Sequence, residues 1–246
     1  MYRIVQLYEA YTDLPHFYVA LVIGFILSSV IFNFLINPLH NYVKYTLINR
    51  FGDVTGVRDG LRSINPRYNL HLVGVLLSLF LNMGFAAPSY FDTHEFKKPR
   101  LYSFVIAISG VLTYLCCFGV VYFSCASLMQ NNVLDLGLNS FWTVNNNFGG
   151  YAYYAVYAML HYLAICCLNS ALLNLIPAFP LDMGDALYEW FPLNWQDALR
   201  NSELIISFVI FVISFFLLGQ TGGVISNTSS SIMDIFDSAV RVLYGK

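Results

Sequence analysis

Asn174-Leu-Ile-Pro-Ala-Phe-Pro-Leu-Asp-Met-Gly184 closes a run that starts after Arg100 and holds no Lys, Arg, Asp or Glu except Asp135 until Asp182 is reached. A carboxylate placed just after two prolines at the end of a hydrophobic segment is costly unless another group pairs with it. The groups suited to meet it lie far upstream, at His40 and Lys44.

The composition sets the class. Of 246 residues, 58% are hydrophobic and 11% charged, against about 25% charged in soluble domains, so the chain reads as a polytopic membrane protein. Its formal net charge of -2 points to no partner, and nothing in it suggests nucleic acid. Arg3, Glu9, Asp13 and His16 precede an apolar run longer than the ~7–15 residues of a cleavable signal core, which predicts no such signal. Cys116, Cys117, Cys125, Cys166 and Cys167 all fall in apolar segments. They read as small hydrophobes, with neither a disulfide framework nor a C-x-x-C metal pattern.

Phe17–Ile36 is an uncharged stretch of the ~20 residues that cross a hydrocarbon core. Pro38 predicts a kink or break, with the helix resuming from His40 to Arg50 and stopping at Gly52-Asp53. A polar loop follows over 53–69. The apolar stretch 69–87 is compatible with a span, a re-entrant segment or a surface-lying one. Leu101–Met129 and Tyr151–Ile176 read as membrane helices, and Leu204–Leu218 as a short apolar helix. The Ser229-Ser-Ser run reads as a flexible loop before an amphipathic stretch, Ile232–Tyr244. The spans show no polar path of the kind a transporter or channel would need.

Lys44, Arg50, Arg58, Arg62 and Arg67 crowd one loop, and Lys97, Lys98 and Arg100 another, whereas 130–150 carries no base. The positive-inside tendency therefore predicts that 40–68, 88–100 and 177–203 are cytoplasmic. This brings His40 and Asp182 to one membrane face on separate spans. The expected fold is an all-α polytopic membrane protein with about 4–6 membrane segments. It forms one integral membrane domain over 1–246, with a core at 18–218, 69–87 as a re-entrant candidate and a C-terminal tail at 219–246.

The 174–184 stretch resembles the third-ligand motif of the site-2 protease (M50) family, intramembrane metalloproteases in which it reads roughly Asn-x-x-Pro-x-x-Pro-x-Asp-Gly-Gly. Asn174, Pro177, Pro180, Asp182 and Gly184 fall in place, and Met183 replaces a glycine. The resemblance continues in Gly52-Asp53, in 60–74, in Gly84-Phe-Ala-Ala-Pro88, in Phe96–Arg100 and in Ser109-Gly110-Val111. It implies a site-2 protease-like core over about residues 18–218. It also implies that the family's H-E-x-x-H motif falls on His40-Asn41-Tyr42-Val43-Lys44, with His40 and Asp182 as metal positions and Asn174 as a substrate-positioning residue.

The departures fall on the chemistry. Zinc hydrolysis of a peptide needs two histidines one helical turn apart, a third ligand and a glutamate that takes a proton from the metal-bound water. Asn41 cannot act as that base, and Lys44, while protonated, has no lone pair to give a metal. No catalytic residue is therefore expected to function, and His40 and Asp182 are expected to be vestigial metal positions. Lys44, at i+4 from His40, is expected to meet Asp182 and neutralise it without metal; the milder alternative is that it snorkels to the interface. His71 is a weaker candidate as a substitute ligand beside His40 and Asp182. His161 reads as a packing residue.

These features imply a catalytically inactive membrane protein of this family that binds or scaffolds a transmembrane partner in the bilayer. Asn174, Pro177, Pro180 and Lys44 would be its binding residues, and no cofactor would be needed. The alternative is an atypical intramembrane zinc metallopeptidase with a rearranged metal site.

Overall fold

The computed structural model describes residues 15–130, 148–188, 191–218 and 224–243, and every regular element among them is helical. Three helices are long and apolar enough to cross a membrane: Val19–Phe51, Pro99–Ser127 and Ala155–Asn174. The basic-free loop after residue 130 lies almost wholly outside the described residues.

The first long helix consists of α1 (Pro15–Ile31), a π turn (Phe32–Ile36) and α2 (Asn37–Phe51), which follow one another without a gap. Of the kink or break expected at Pro38, the break does not occur: helix continues on both sides of the proline. Proline lacks an N–H and its ring crowds the carbonyl four residues back. Here the widened turn lies immediately ahead of it, with the Asn37 N–H bonded to the Phe32 carbonyl. Such π turns rotate the face that follows them, and Ser29, Asn33, Asn37, His40, Asn41 and Lys44 are all buried.

That row places buried polar groups inside the first span. Asn33 Nδ2 donates to the Ser29 carbonyl at 2.8 Å and to Ser78 Oγ at 2.6 Å. Asn37 Nδ2 reaches Asn33 Oδ1 at 3.2 Å, and the Tyr114 hydroxyl donates to Asn37 Oδ1 at 2.8 Å. Polar groups in an apolar interior must be paired. Here they pair with one another, so the row forms a packed seam.

After two short turns, α3 (Thr55–Arg58) and α4 (Pro66–Asn69), the stretch left open by sequence resolves into α5 (Leu72–Leu81). Its 10 residues span about 15 Å, half of a ~30 Å hydrocarbon core. At Asn82 the backbone turns left-handed, φ 51°, and returns as an irregular segment through 92. Gly74 permits the return, because a Cβ there would collide with the Phe85 carbonyl oxygen. Residues 69–87 therefore double back on themselves, with the Ala87 N–H donating to the Asn69 carbonyl at 3.0 Å.

α6 (Pro99–Gln130) and α7 (Phe148–Asn174) pack on the first helix around Phe32, Tyr114, Phe118, Leu163 and Leu168. The chain continues through α8 (Asp182–Tyr188), α9 (Leu193–Asn201), α10 (Glu203–Leu218) and α11 (Val224–Leu243). The serine run expected to form a loop lies inside α11. Ile232, Met233 and Phe236 on that helix pack against the core that holds Phe118 and Tyr122, and this burial outweighs the modest helix propensity of serine.

Gly24 sets the closeness of α1 and α7: a Cβ there would stand 2.7 Å from Ala158 Cβ and 2.8 Å from the Ala155 carbonyl oxygen, whereas one at Gly119 meets nothing within 4 Å. Small residues permit such approach in apolar bundles. Thermal unfolding in detergent should show Gly24→Ala destabilised by about 1–3 kcal/mol, and Gly119→Ala unchanged or slightly stabilised.

Candidate functional site

Asp182 opens α8, and its position is fixed from α7. Asn174, the last residue of α7, accepts the Asp182 N–H on Oδ1 at 3.3 Å and donates to the Ser170 carbonyl at 2.8 Å. The intervening turn holds Pro177 and Pro180, with a cis Phe179–Pro180 peptide. Gly184 closes it, because a Cβ at that position would overlap the Ala178 backbone.

The carboxylate meets two side chains from α2. Lys44 Nζ lies 2.7 Å from Asp182 Oδ1, and His40 Nε2 lies 2.7 Å from Asp182 Oδ2. Lys44 is 1% exposed, so it does not snorkel: its ammonium points inward. It also lies 3.1 Å from Asp185 Oδ2. Asp185 was not among the residues singled out by sequence, although the Asp182-x-x-Asp185 spacing is the signal for it, since i and i+3 share a helix face.

Asn41 fixes the histidine. Its Nδ2 donates to the Ala87 carbonyl at 2.9 Å, which turns its Oδ1 toward His40 Nδ1 at 3.0 Å. An amide oxygen only accepts, so Nδ1 carries a proton, and the contact between Nε2 and Asp182 needs another. The His40 ring stacks on Tyr114 with centroids 4.5 Å apart. Gly110, on α6, forms the roof, since a Cβ there would stand 2.6 Å from His40 Nε2 and would overlap Asp182 Oδ2.

The two carboxyl groups titrate in opposite directions. Burial alone would push Asp182 up, but the charges and hydrogen bonds of His40 and Lys44 hold it down at about 2. For Asp185, burial prevails over Lys44 and, with the Asp182 charge adding to it, pushes the carboxyl up to about 7. The environments separate two acids three residues apart.

His71 is not brought to this cluster as a third ligand. It precedes α5, its ring 4.9 Å from that of Phe85, and among the described residues no three His, Cys, Asp or Glu side chains gather as a metal site would require. His161 stacks on Tyr157 at 5.9 Å. The donor set does not fit zinc. Two ligands at ~2.0–2.1 Å in tetrahedral geometry stand roughly 3.3 Å apart, whereas His40 Nε2 and Asp182 Oδ2 are 2.7 Å apart and share a proton. One helical turn after His40 stands Lys44, an ammonium already paired with Asp182.

No family model and no solved structure match the chain. It is 23% identical over 214 residues to a Bacillus subtilis (strain 168) protein described as "Putative zinc metalloprotease YwhC", covering 85% of this chain and 84% of that one. The similarity supports a metalloprotease-like relationship.

Lys44→Met would leave two buried acids without their cation and should cost about 3–5 kcal/mol in unfolding experiments. The pH dependence has two signs. The folded Asp185 carboxyl, at about 7 against an ordinary 3.8, holds its proton more tightly than the unfolded chain does. Its contribution to stability is therefore complete below pH 3.8 and lost as pH rises through about 7. Asp182 contributes above pH 3.8 and loses that contribution as pH falls toward 2. Denaturation midpoints should fall between pH 4 and 7 in the parent, and Asp185→Asn should flatten that slope while leaving the acid limb.

Proposed function

We propose that this chain is a catalytically inactive relative of the site-2 proteases, a multi-pass membrane protein that binds or scaffolds a transmembrane partner. The observation that carries the reading is the Lys44 ammonium, buried 2.7 Å from Asp182 and 3.1 Å from Asp185. It occupies the position of the family's second metal-binding histidine and supplies the positive charge that a metal would otherwise bring to Asp182.

Asn41 supports the same reading. A glutamate there would serve as the base for a metal-bound water, whereas the amide is committed on one side to the Ala87 carbonyl and on the other to His40. In this reading Asn174, Pro177 and Pro180 keep the wall that positions a bound segment, and loops 40–68, 88–100 and 177–203 face the cytoplasm. The whole of 1–246 is one integral membrane domain. A second reading, an intramembrane zinc metallopeptidase with a rearranged site, is favoured by the description of the Bacillus subtilis relative as a zinc metalloprotease.

Protein purified from membranes without added metal distinguishes the two. Elemental analysis should find no stoichiometric zinc, and incubation with transmembrane substrates should give no cleavage. Zinc at one per chain, removed by chelator together with a cleavage activity, would overturn the inactive reading. The double change Asn41→Glu with Lys44→His should gain zinc affinity. Photo-crosslinkers at the exposed Leu35 and Leu112 should give discrete products with a second membrane protein; their absence in native membranes would sink the binding role.

A further inference from the structure

After α5, residues 83–92 run without helix or strand to a short 3-10 turn at Thr93–Glu95. This segment crosses the ionic cluster, and the groups that hold its backbone are largely side chains of the surrounding elements. The Gly84 N–H donates to Ser170 Oγ on α7 at 2.8 Å. The Ala86 backbone reaches the Tyr114 hydroxyl on α6, and the Ala87 carbonyl accepts Asn41 Nδ2 on α2 at 2.9 Å. The Ser89 backbone reaches Asp185 on α8, the Tyr90 backbone reaches Tyr45 on α2, and the Asp92 N–H donates to Asp53 Oδ2 at 2.8 Å. The Ala87 N–H also donates to a backbone group, the Asn69 carbonyl, at 3.0 Å.

A backbone held in this manner, peptide group by peptide group, is held as a receptor groove holds a peptide. We propose that the groove over the His40–Asp182 pair is a peptide-backbone site filled by the chain's own residues 84–90, and that Asn41 is the positioning residue that clamps this internal peptide through the Ala87 carbonyl. The chemistry selects the amide. A glutamate or aspartate carboxylate accepts hydrogen bonds and cannot donate one to a carbonyl; asparagine donates to Ala87 and accepts from His40 with a single side chain.

The class of ligand follows from the walls. A Cβ at Gly84 would stand 2.9 Å from the Gly74 carbonyl oxygen and 2.9 Å from the Phe32 ring, and Ala86 is buried. The groove therefore takes a peptide with small side chains at those places. A segment from another protein would enter only by displacing 84–90. The clamp stands on the geometry of this chain alone, so it holds or fails independently of the proposed partner and of zinc content.

Amide hydrogen exchange on the full chain in detergent tests it. Asn41→Asp keeps the acceptor for His40 and removes the donor to Ala87; Asn41→Ala removes both. Both variants should raise exchange in peptides covering 84–92 by about tenfold or more, with 101–127 and 155–174 unchanged, as expected when one local unit opens. A folded Asn41→Asp in which 84–92 exchanges as in the parent would overturn the proposal. So would a rise spread evenly over the long helices, or a rise for Asn41→Ala without one for Asn41→Asp, which would assign the effect to the His40 contact. Should Asn41→Asp fail to fold, Asn41→Ala is read by the same criteria, and parent-like exchange in 84–92 then rejects the clamp.

Discussion

Burying the Asp182 carboxylate beside apolar helices is tolerable only because two donors reach it, one on each oxygen: Lys44 Nζ on Oδ1 and His40 Nε2 on Oδ2, both at 2.7 Å. Desolvating an isolated carboxylate is prohibitive, and an imperfect pair would not offset that cost. The neighbouring architecture serves the contact. α2 presents its donors one turn apart, Asn174 holds the backbone of Asp182, and the absence of a side chain at Gly110 lets α6 close over the pair.

The same constraint extends along the first long helix. Ser29, Asn33 and Asn37 recur at intervals of four, and Tyr114 and Ser78 bring the complementary groups from α6 and α5. A hydrogen-bonded seam in an apolar bundle fixes register, because a slipped helix would leave each of these groups unpaired. The π turn ahead of Pro38 keeps the seam and the ionic cluster on one face, which joins the polar interior of the membrane helix to the site at its end.

The site has the chemistry of an ion cluster. Lys44 is shared between Asp182 and Asp185, so neutralisation comes from a side chain. The weak similarity to a protein described as a putative zinc metalloprotease stands beside a cluster in which the acid is met by a lysine and a histidine. Asn41 ties the irregular segment after α5 to the site through the Ala87 carbonyl.

Much was determined by the sequence on its own. The apolar content and the run between Arg100 and Asp182, whose one charged residue is Asp135, dictate helices long enough for a membrane, and the i, i+4 placement of His40 and Lys44 puts both on one face, because these properties are local or periodic. The return at Asn82, the helical course of the serine run and the unbroken passage through Pro38 were decided by tertiary packing, since each depends on a neighbour remote in sequence or on a turn that propensity does not encode. Asp185 as the second partner of Lys44, Asn41 as the link to Ala87 and Gly110 as the roof belong to the same class. A side chain's spacing tells which face it shares, but which groups it meets there is fixed only when the folded chain brings separate helices within hydrogen-bonding distance.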